Sequence, residues 1–333
     1  MSRAIPRRRP VRWGFLGAGV IARNALGPAV AAADGAVLQA AAARDVERAA
    51  ALGPVTAYGD YRALLDDEEV EAVYIALSND LHLPWTVAAL RAGKAVLCEK
   101  PLALTAAQVD EMAAVAAETG GLLVEASWYR WHPRVRLAQR RLSELGRVRH
   151  VAAGFTFDGQ LDGNYRLEVA RGGGAMYDVG CYAVSACLWA VGEGLPAEVV
   201  ARSTYGGTGV DLVTEAILSW ESGAEAEVRA GISGVEGQWL VATGERGEIE
   251  LPGKSYASWT GDATELWVSD GRDSERVPLE ATDAYRIMVE EMSSVLRGGP
   301  GWVLPVAESR QTAAVLDAAR TSAADGSAPV RPA

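Results

Sequence analysis

At 333 residues the chain is long enough for two domains, and 49% hydrophobic against 23% charged residues is the balance of an ordinary globular protein. A formal net charge of −11, with a pI near 4.9, excludes the broadly basic face that nucleic-acid binding requires. Cys98, Cys181 and Cys187 form no CxxC pair, and His82, His132 and His150 never stand four apart, so reduced thiols are expected and a zinc or iron site is not.

Residues 1–10 read as a disordered basic tail rather than an export signal, because Arg23 and Asn24 interrupt the apolar run that follows. Predicted strands at Val11–Leu16, Val37–Ala43, Ala72–Leu77, Ala95–Cys98 and Leu122–Glu125 then alternate with predicted helices. The helices are Ala22–Ala33, Val46–Leu52, Tyr61–Leu65, His82–Ala92 and Ala106–Glu118. Repeated strand–helix–strand units imply a doubly wound parallel sheet with right-handed crossovers. After Trp128 the pattern changes. A strand at Val148–Phe157 and one apolar helix at Ala175–Val191 precede strands at Val213–Trp220, Ala224–Gly231, Trp239–Thr243, Ile249–Leu251 and Glu265–Trp267. Alternation such as Ala224-Glu225-Ala226-Glu227-Val228-Arg229 predicts an open, mostly antiparallel sheet with one packed face. Helices at Ala284–Arg297 and Val306–Ala323 close the chain, and no uncharged run of eighteen apolar residues occurs, so no membrane span is expected.

Gly17, Gly19 and Ala22 form G-x-G-x-x-A between the first strand and the first helix. Gly17 permits the tight turn, Gly19 lets backbone approach a pyrophosphate, and Ala22 allows close helix packing, which is the fingerprint of a Rossmann domain. The second strand ends Ala42-Ala43-Arg44. A small residue followed by arginine leaves room for a 2′-phosphate and favours NADP, whereas Asp45 serving as a ribose acid would allow NAD. Glu99-Lys100-Pro101 follows another strand, at the C-terminal end where such sheets bind ligands.

Together these stretches resemble the glucose–fructose oxidoreductase/inositol dehydrogenase (Gfo/Idh/MocA) family. Matching segments are 14–22, Ala43-Arg44-Asp45, Tyr74–Leu81, 92–105, 125–133 and 172–186, spread over nearly the whole chain. The resemblance implies an NADP-binding Rossmann domain over 1–124. An α+β substrate-binding and oligomerisation domain would follow over 125–333, its C-terminal helix packing back on the first. It implies cofactor contacts from Gly17, Gly19, Val20, Ile21, Arg44 and Asp45, and from Leu77, Asn79, His82, Glu99 and Lys100. Where many members carry a histidine, this chain has Tyr182, which is similar to the branch holding D-xylose 1-dehydrogenases, dimeric dihydrodiol dehydrogenases and sugar 3-ketoreductases.

On that reading, Tyr182 is the acid in carbonyl reduction and the base in oxidation. A phenol of pKa near ~10 needs help at neutral pH, and a Lys100 ammonium is expected to lower it and to bond the reacting oxygen. Asp178 would bind a substrate hydroxyl. Asp178, Tyr182, Ser185 and Trp189 fall on one helical stripe that is expected to line the cleft. Trp128, Arg130, Asn164, Tyr165 and Arg166 are candidate substrate contacts; Trp128 would stack on a sugar face, while His132 is expected to be structural. The implied substrate is an aldose, a ketosugar or a nucleotide-linked sugar, handled by a cytoplasmic homodimer or homotetramer. A non-catalytic sugar or dinucleotide sensor, and an enzyme acting on a non-sugar diol or carbonyl, remain the alternatives.

Overall fold

A computed structural model describes residues 9–159, 161, 163–254, 256 and 262–333; the expected tail lies, for residues 1–8, outside the described residues. Strands β1 (Val11–Leu16), β2 (Ala36–Ala42), β3 (Thr56–Tyr58), β4 (Ala72–Ile75), β5 (Ala95–Cys98) and β6 (Leu123–Glu125) pair in parallel. Their order is β3-β2-β1-β4-β5-β6, so the connection reverses direction between β1 and β4. Every residue of β4, β5 and β6 is buried, which is why these strands read as unbroken apolar runs. The crossovers carry α1 (Gly27–Ala32), α2 (Val46–Ala50), α3 (Tyr61–Leu65), α4 (His82–Arg91) and α5 (Ala106–Thr119). The helix expected from Ala22 opens instead as a widened turn over Ala22–Leu26. Pro28, at the start of α1, has no N–H to return to the carbonyl four residues back, and its ring crowds that carbonyl.

The second sheet holds β7 (Val148–Thr156), β8 (Glu198–Tyr205), β9 (Asp211–Ser219), β10 (Glu225–Gly231), β11 (Gly237–Gly244), β12 (Gly247–Glu250), β13 (Thr264–Ser269) and β14 (Ser274–Leu279). They lie in the order β14-β13-β12-β11-β7-β10-β9-β8, antiparallel except where β10 pairs with β7. The two edge strands, β8 and β14, went unpredicted because an edge need not be apolar; β14 is largely exposed and holds Pro278. Helix α6 (Pro133–Arg141) also escaped prediction, its four arginines hiding the helical period.

A widened turn, Met176–Gly180, runs into α7 (Cys181–Val191), which lies across β7, β10 and β11. Apart from Trp189 and Val191 this helix is buried. The stretch 169–191 is long and apolar enough to cross a membrane by composition, yet from Gly174 onward nearly all of it is buried in the core. Two helices finish the chain, α8 (Ala284–Leu296) and α9 (Val306–Ala324). The latter packs on α5, α7 and β8, with Asp317 accepting from Ala106 N at 2.9 Å and Arg310 paired to Asp110 at 2.9 Å. The last helix therefore ties both sheets together.

Candidate active site

At the carboxyl end of β1, Gly17 has φ +102° and donates its N–H to Ala42 O at 2.9 Å. A Cβ added there would lie 2.4 Å from Ala76 O, so the turn between β2 and β4 admits no side chain. A Cβ on Gly19 would meet no protein atom within 4 Å. The space that Gly19 leaves is therefore open to a ligand, as close approach by a pyrophosphate requires. Val20, 62% exposed, and the half-buried Ile21 continue this open edge, and the half-buried Leu77 approaches Gly17 from the end of β4.

Beyond β2, Ala42 and Ala43 are buried and Arg44 is exposed. Arg48 donates to Ala18 O at 3.1 Å, joining α2 to the glycine turn. Burial raises the Tyr61 phenol, while the nearby Arg44 and Arg48 guanidiniums pull it down, so both cations gather on this side of α3. Asp45 turns its carboxylate back to cap α2, accepting from Glu47 N at 3.0 Å. The acid that would hold a ribose diol is thus engaged by the backbone, and two guanidiniums remain beside the strand end. These residues fit a dinucleotide bearing a 2′-phosphate.

His82 and Asn79 correct an expectation. The His82 ring is fully enclosed, Nδ1 at 2.8 Å from Pro101 O and Nε2 at 3.2 Å from Leu77 O, and burial depresses its pKa. Asn79 is also buried and donates to Gly172 O at 2.8 Å. Both side chains clamp loops beneath the cleft instead of facing a ligand. Glu99 is buried too: it accepts from Tyr74 OH at 2.5 Å and from Lys100 N at 3.2 Å, and burial raises its carboxyl. The Lys100–Pro101 peptide is cis.

Beyond that bond, Lys100 meets the start of α7. Its ammonium donates to Asp178 O at 2.8 Å and lies 3.4 Å from Asp178 Oδ1, while Arg166 Nε donates to Asp178 Oδ2 at 2.7 Å. Burial alone would raise the Asp178 carboxyl; Lys100 and Arg166 overcome it and hold the group below its usual range. Burial likewise opposes the Lys100 ammonium, but the acidic groups around it, with the Asp178 carboxylate in contact, outweigh that and raise its pKa. Lys100 Nζ sits 5.1 Å from the centre of the Tyr182 ring. The expected lowering of the Tyr182 pKa is not found. Burial raises the phenol further than Lys100 lowers it, so Tyr182 is a firmly protonated hydroxyl. It accepts from Trp128 Nε1 at 3.1 Å and donates to none of the described residues.

Three more expectations change. Trp128 is 3% exposed and stacked on Tyr285, ring centres 4.6 Å apart, so one face is closed to a sugar. Arg130 is buried, paired with Glu308 at 2.8 Å and lying over Trp302, away from the Lys100–Asp178 cluster. Ser185 and Trp189 do not line the cleft: Tyr129 OH donates to Ser185 Oγ at 2.8 Å and accepts from Trp189 Nε1 at 3.2 Å. Their stripe faces the aromatic turn 128–131, so its polar groups are satisfied inside the protein. Asn164 caps a short turn through Arg166 N. Tyr165 is half-buried between the Arg166 and Arg171 guanidiniums, and its phenol feels Asp178 and Lys100, which puts it at the cleft with Arg166. His132 caps α6, as expected of a structural histidine. Sequence reasoning missed Tyr285 and Phe155, which no neighbours mark, and took Tyr74 only as the start of a matching segment; Phe155 reads simply as a strand residue.

Two family models match the chain, an oxidoreductase family with an NAD-binding Rossmann fold over residues 11–127 and a GFO/IDH/MocA C-terminal domain over residues 135–250. A D-xylose 1-dehydrogenase (NADP(+)) of Haloferax volcanii is 37% identical over 95% of this chain and 98% of its own length. The mouse trans-1,2-dihydrobenzene-1,2-diol dehydrogenase is 32% identical over 93% and 96%. The crystal structure of a 3-ketoreductase from Actinomadura kijaniata, in complex with NADP and TDP-benzene, superposes with a TM-score of 0.85 at 28% identity, covering 94% of this chain and 98% of that one. The chain belongs to the Gfo/Idh/MocA oxidoreductase family.

Proposed function

We propose that the protein is an NADP(H)-dependent oxidoreductase that interconverts a carbinol and a carbonyl carbon of a sugar, either as an aldose 1-dehydrogenase or as a ketosugar 3-ketoreductase. The observation that carries this reading is the Tyr182 hydroxyl: buried, protonated, beside the Lys100 ammonium, and with its own proton not taken by any described residue. A sensor would need no such donor. When bound, the nicotinamide supplies or accepts the hydride. Lys100 bonds the carbonyl oxygen and stabilises the charge that collects there during reduction. Tyr182 then passes its proton to that oxygen, and in oxidation receives it back. Asp178 holds Lys100 and Arg166 in register; with both oxygens already engaged by cations, it orients these donors and offers its remaining acceptor capacity to a hydroxyl. Arg166 uses only Nε on Asp178, so its terminal nitrogens are the natural donors to substrate hydroxyls, with Tyr165 and Asn164 beside them.

Arg44 and Arg48 select the 2′-phosphate, while Gly17, Gly19, Val20, Ile21 and Leu77 shape the dinucleotide groove. The functional division falls near residue 124. The test is NADPH consumption over a panel of aldoses and nucleotide-linked ketosugars. Tyr182→Phe should lower turnover by about 10² or more; near wild-type turnover would remove the proton-transfer assignment. One observation favours a second reading, a non-sugar diol substrate. Phe155 and Tyr256 stack nearly parallel, ring centres 6.1 Å apart, and the half-buried Phe155 lies 5.7 Å from the Tyr182 ring, an apolar surface beside the donor that suits a flat ring. Oxidation of a cyclic aromatic diol faster than of any sugar would establish it.

We further infer a cytoplasmic homo-oligomer. The three cysteines are buried and unpaired, as a reducing compartment allows. The sheet face opposite α7 carries no helix of the described residues, and a second copy would cover it, where Ile217 is 42% and Trp267 37% exposed. A monomer by light scattering at micromolar concentration would overturn this.

A further inference from the structure

We propose that Trp128 is a positioning residue for the proton donor, and that Tyr285 of α8 holds it there, so that the C-terminal helices reach the reaction centre through one aromatic contact. The indole N–H is a donor only, and it is spent on Tyr182 Oη at 3.1 Å. Trp128 cannot accept the phenol's proton, which is therefore directed to the cleft. The other aromatic rings around Tyr182 do not share this work. Tyr129 OH is engaged by Ser185 and Trp189, Tyr256 OH donates to Trp239 O, and Phe155 has no polar atom. Among the described residues Trp128 alone bonds the Tyr182 oxygen.

The indole is in turn held from outside. It stands on the short turn after β6, and its face lies against Tyr285 with ring planes 17° apart. Tyr285 is 3% exposed and anchored in the first turn of α8, where Asp283 accepts from its backbone N–H at 3.0 Å. The inference rests on Tyr182 being the acid. As the proton leaves, the neutral N–H···O contact becomes a charge-assisted one, which is shorter and stronger. The indole therefore contributes more to the transition state than to the ground state, and its removal should fall on kcat.

Two variants separate the ring from its N–H. Trp128→Phe keeps an aromatic ring against Tyr285 and deletes the donor; Tyr285→Leu keeps the donor and deletes the stack. Trp128→Phe should lower kcat for carbonyl reduction about 10-fold and leave the NADPH Kd and the carbonyl KM within about two-fold. The alkaline limb of the reduction profile should move to higher pH, because the phenolate has lost a donor. Tyr285→Leu should move the limb the same way by less, and the double variant should match Trp128→Phe alone. An unmoved limb in Trp128→Phe, or a loss that falls on KM, overturns the proposal. If that variant fails to bind NADPH, the decision passes to Tyr285→Leu, where an unmoved limb counts equally against it. Tyr182→Phe, run alongside, tells the two failures apart. Near wild-type turnover there removes the underlying reading, whereas inactive Tyr182→Phe with an unmoved limb in Trp128→Phe removes only the indole's role.

Discussion

The glycine turn at 17–22 and the Lys100–Asp178–Tyr182 cluster solve opposite problems. The turn works by leaving side chains out: Gly17 could not carry one against Ala76 O, and Gly19 opens onto free space. The cluster works by burying side chains that normally stay in water, a lysine, an aspartate and a tyrosine, and holding them with one another. A site made of backbone is specified by a few consecutive residues. A site made of buried charges depends on distant elements arriving together, and its members should fail together.

The largest expected effect follows from that contrast. Asp178→Leu leaves the Lys100 ammonium and the Arg166 guanidinium without their shared carboxylate, and should destabilise the protein by about 3–5 kcal/mol in chemical denaturation. A loss below about 1 kcal/mol, the range of an exposed pair, would show that the cluster behaves as surface charge. The next is Lys100→Met, which should reduce kcat by about 10² while the NADPH Kd, set at the other site, changes little. Equal damage to both quantities would break the division between the regions.

Third, Arg44→Ala should weaken NADP binding by about 1.5–3 kcal/mol and leave NAD binding unchanged, as measured by fluorescence titration. Equal losses for both dinucleotides would place Arg44 outside the phosphate pocket. The smallest effect lies at the cap of α6. Burial and the Arg134 guanidinium depress His132 to about 4. Its folded pKa lies below the unfolded value, so the unfolded chain binds the extra proton first, and stability is lost as pH falls from the unfolded pKa toward 4. Between pH 7 and pH 5 the loss should be about 2 kcal/mol. His132→Asn keeps an acceptor for the α6 cap and should flatten that slope.

Much was readable from sequence because it depends on local rules. The buried parallel strands announced themselves as apolar runs, the glycine spacing marked the dinucleotide turn, and Arg44 after two alanines pointed to NADP. Strand β3, at three residues, was too short to carry a pattern, and edge strands β8 and β14 lacked the apolar signature of central ones. The stripe on α7 was periodic as expected, but periodicity names a face without saying what the face meets. Its Asp178 and Tyr182 met Lys100, while Ser185 and Trp189 met the aromatic turn at 128–131 and not a cleft.

By itself, then, the sequence determined the chemistry available: a glycine turn, a lysine before proline, and a tyrosine four residues after an aspartate. Only the tertiary structure decided how those groups behave. Burial within the second sheet and α7 raised the Tyr182 phenol despite its lysine, because removing a charge from water costs more than one nearby cation returns. Packing also turned Asn79, His82 and Arg130 to structural partners, since a polar group leaving solvent must find a hydrogen bond wherever the fold presents one.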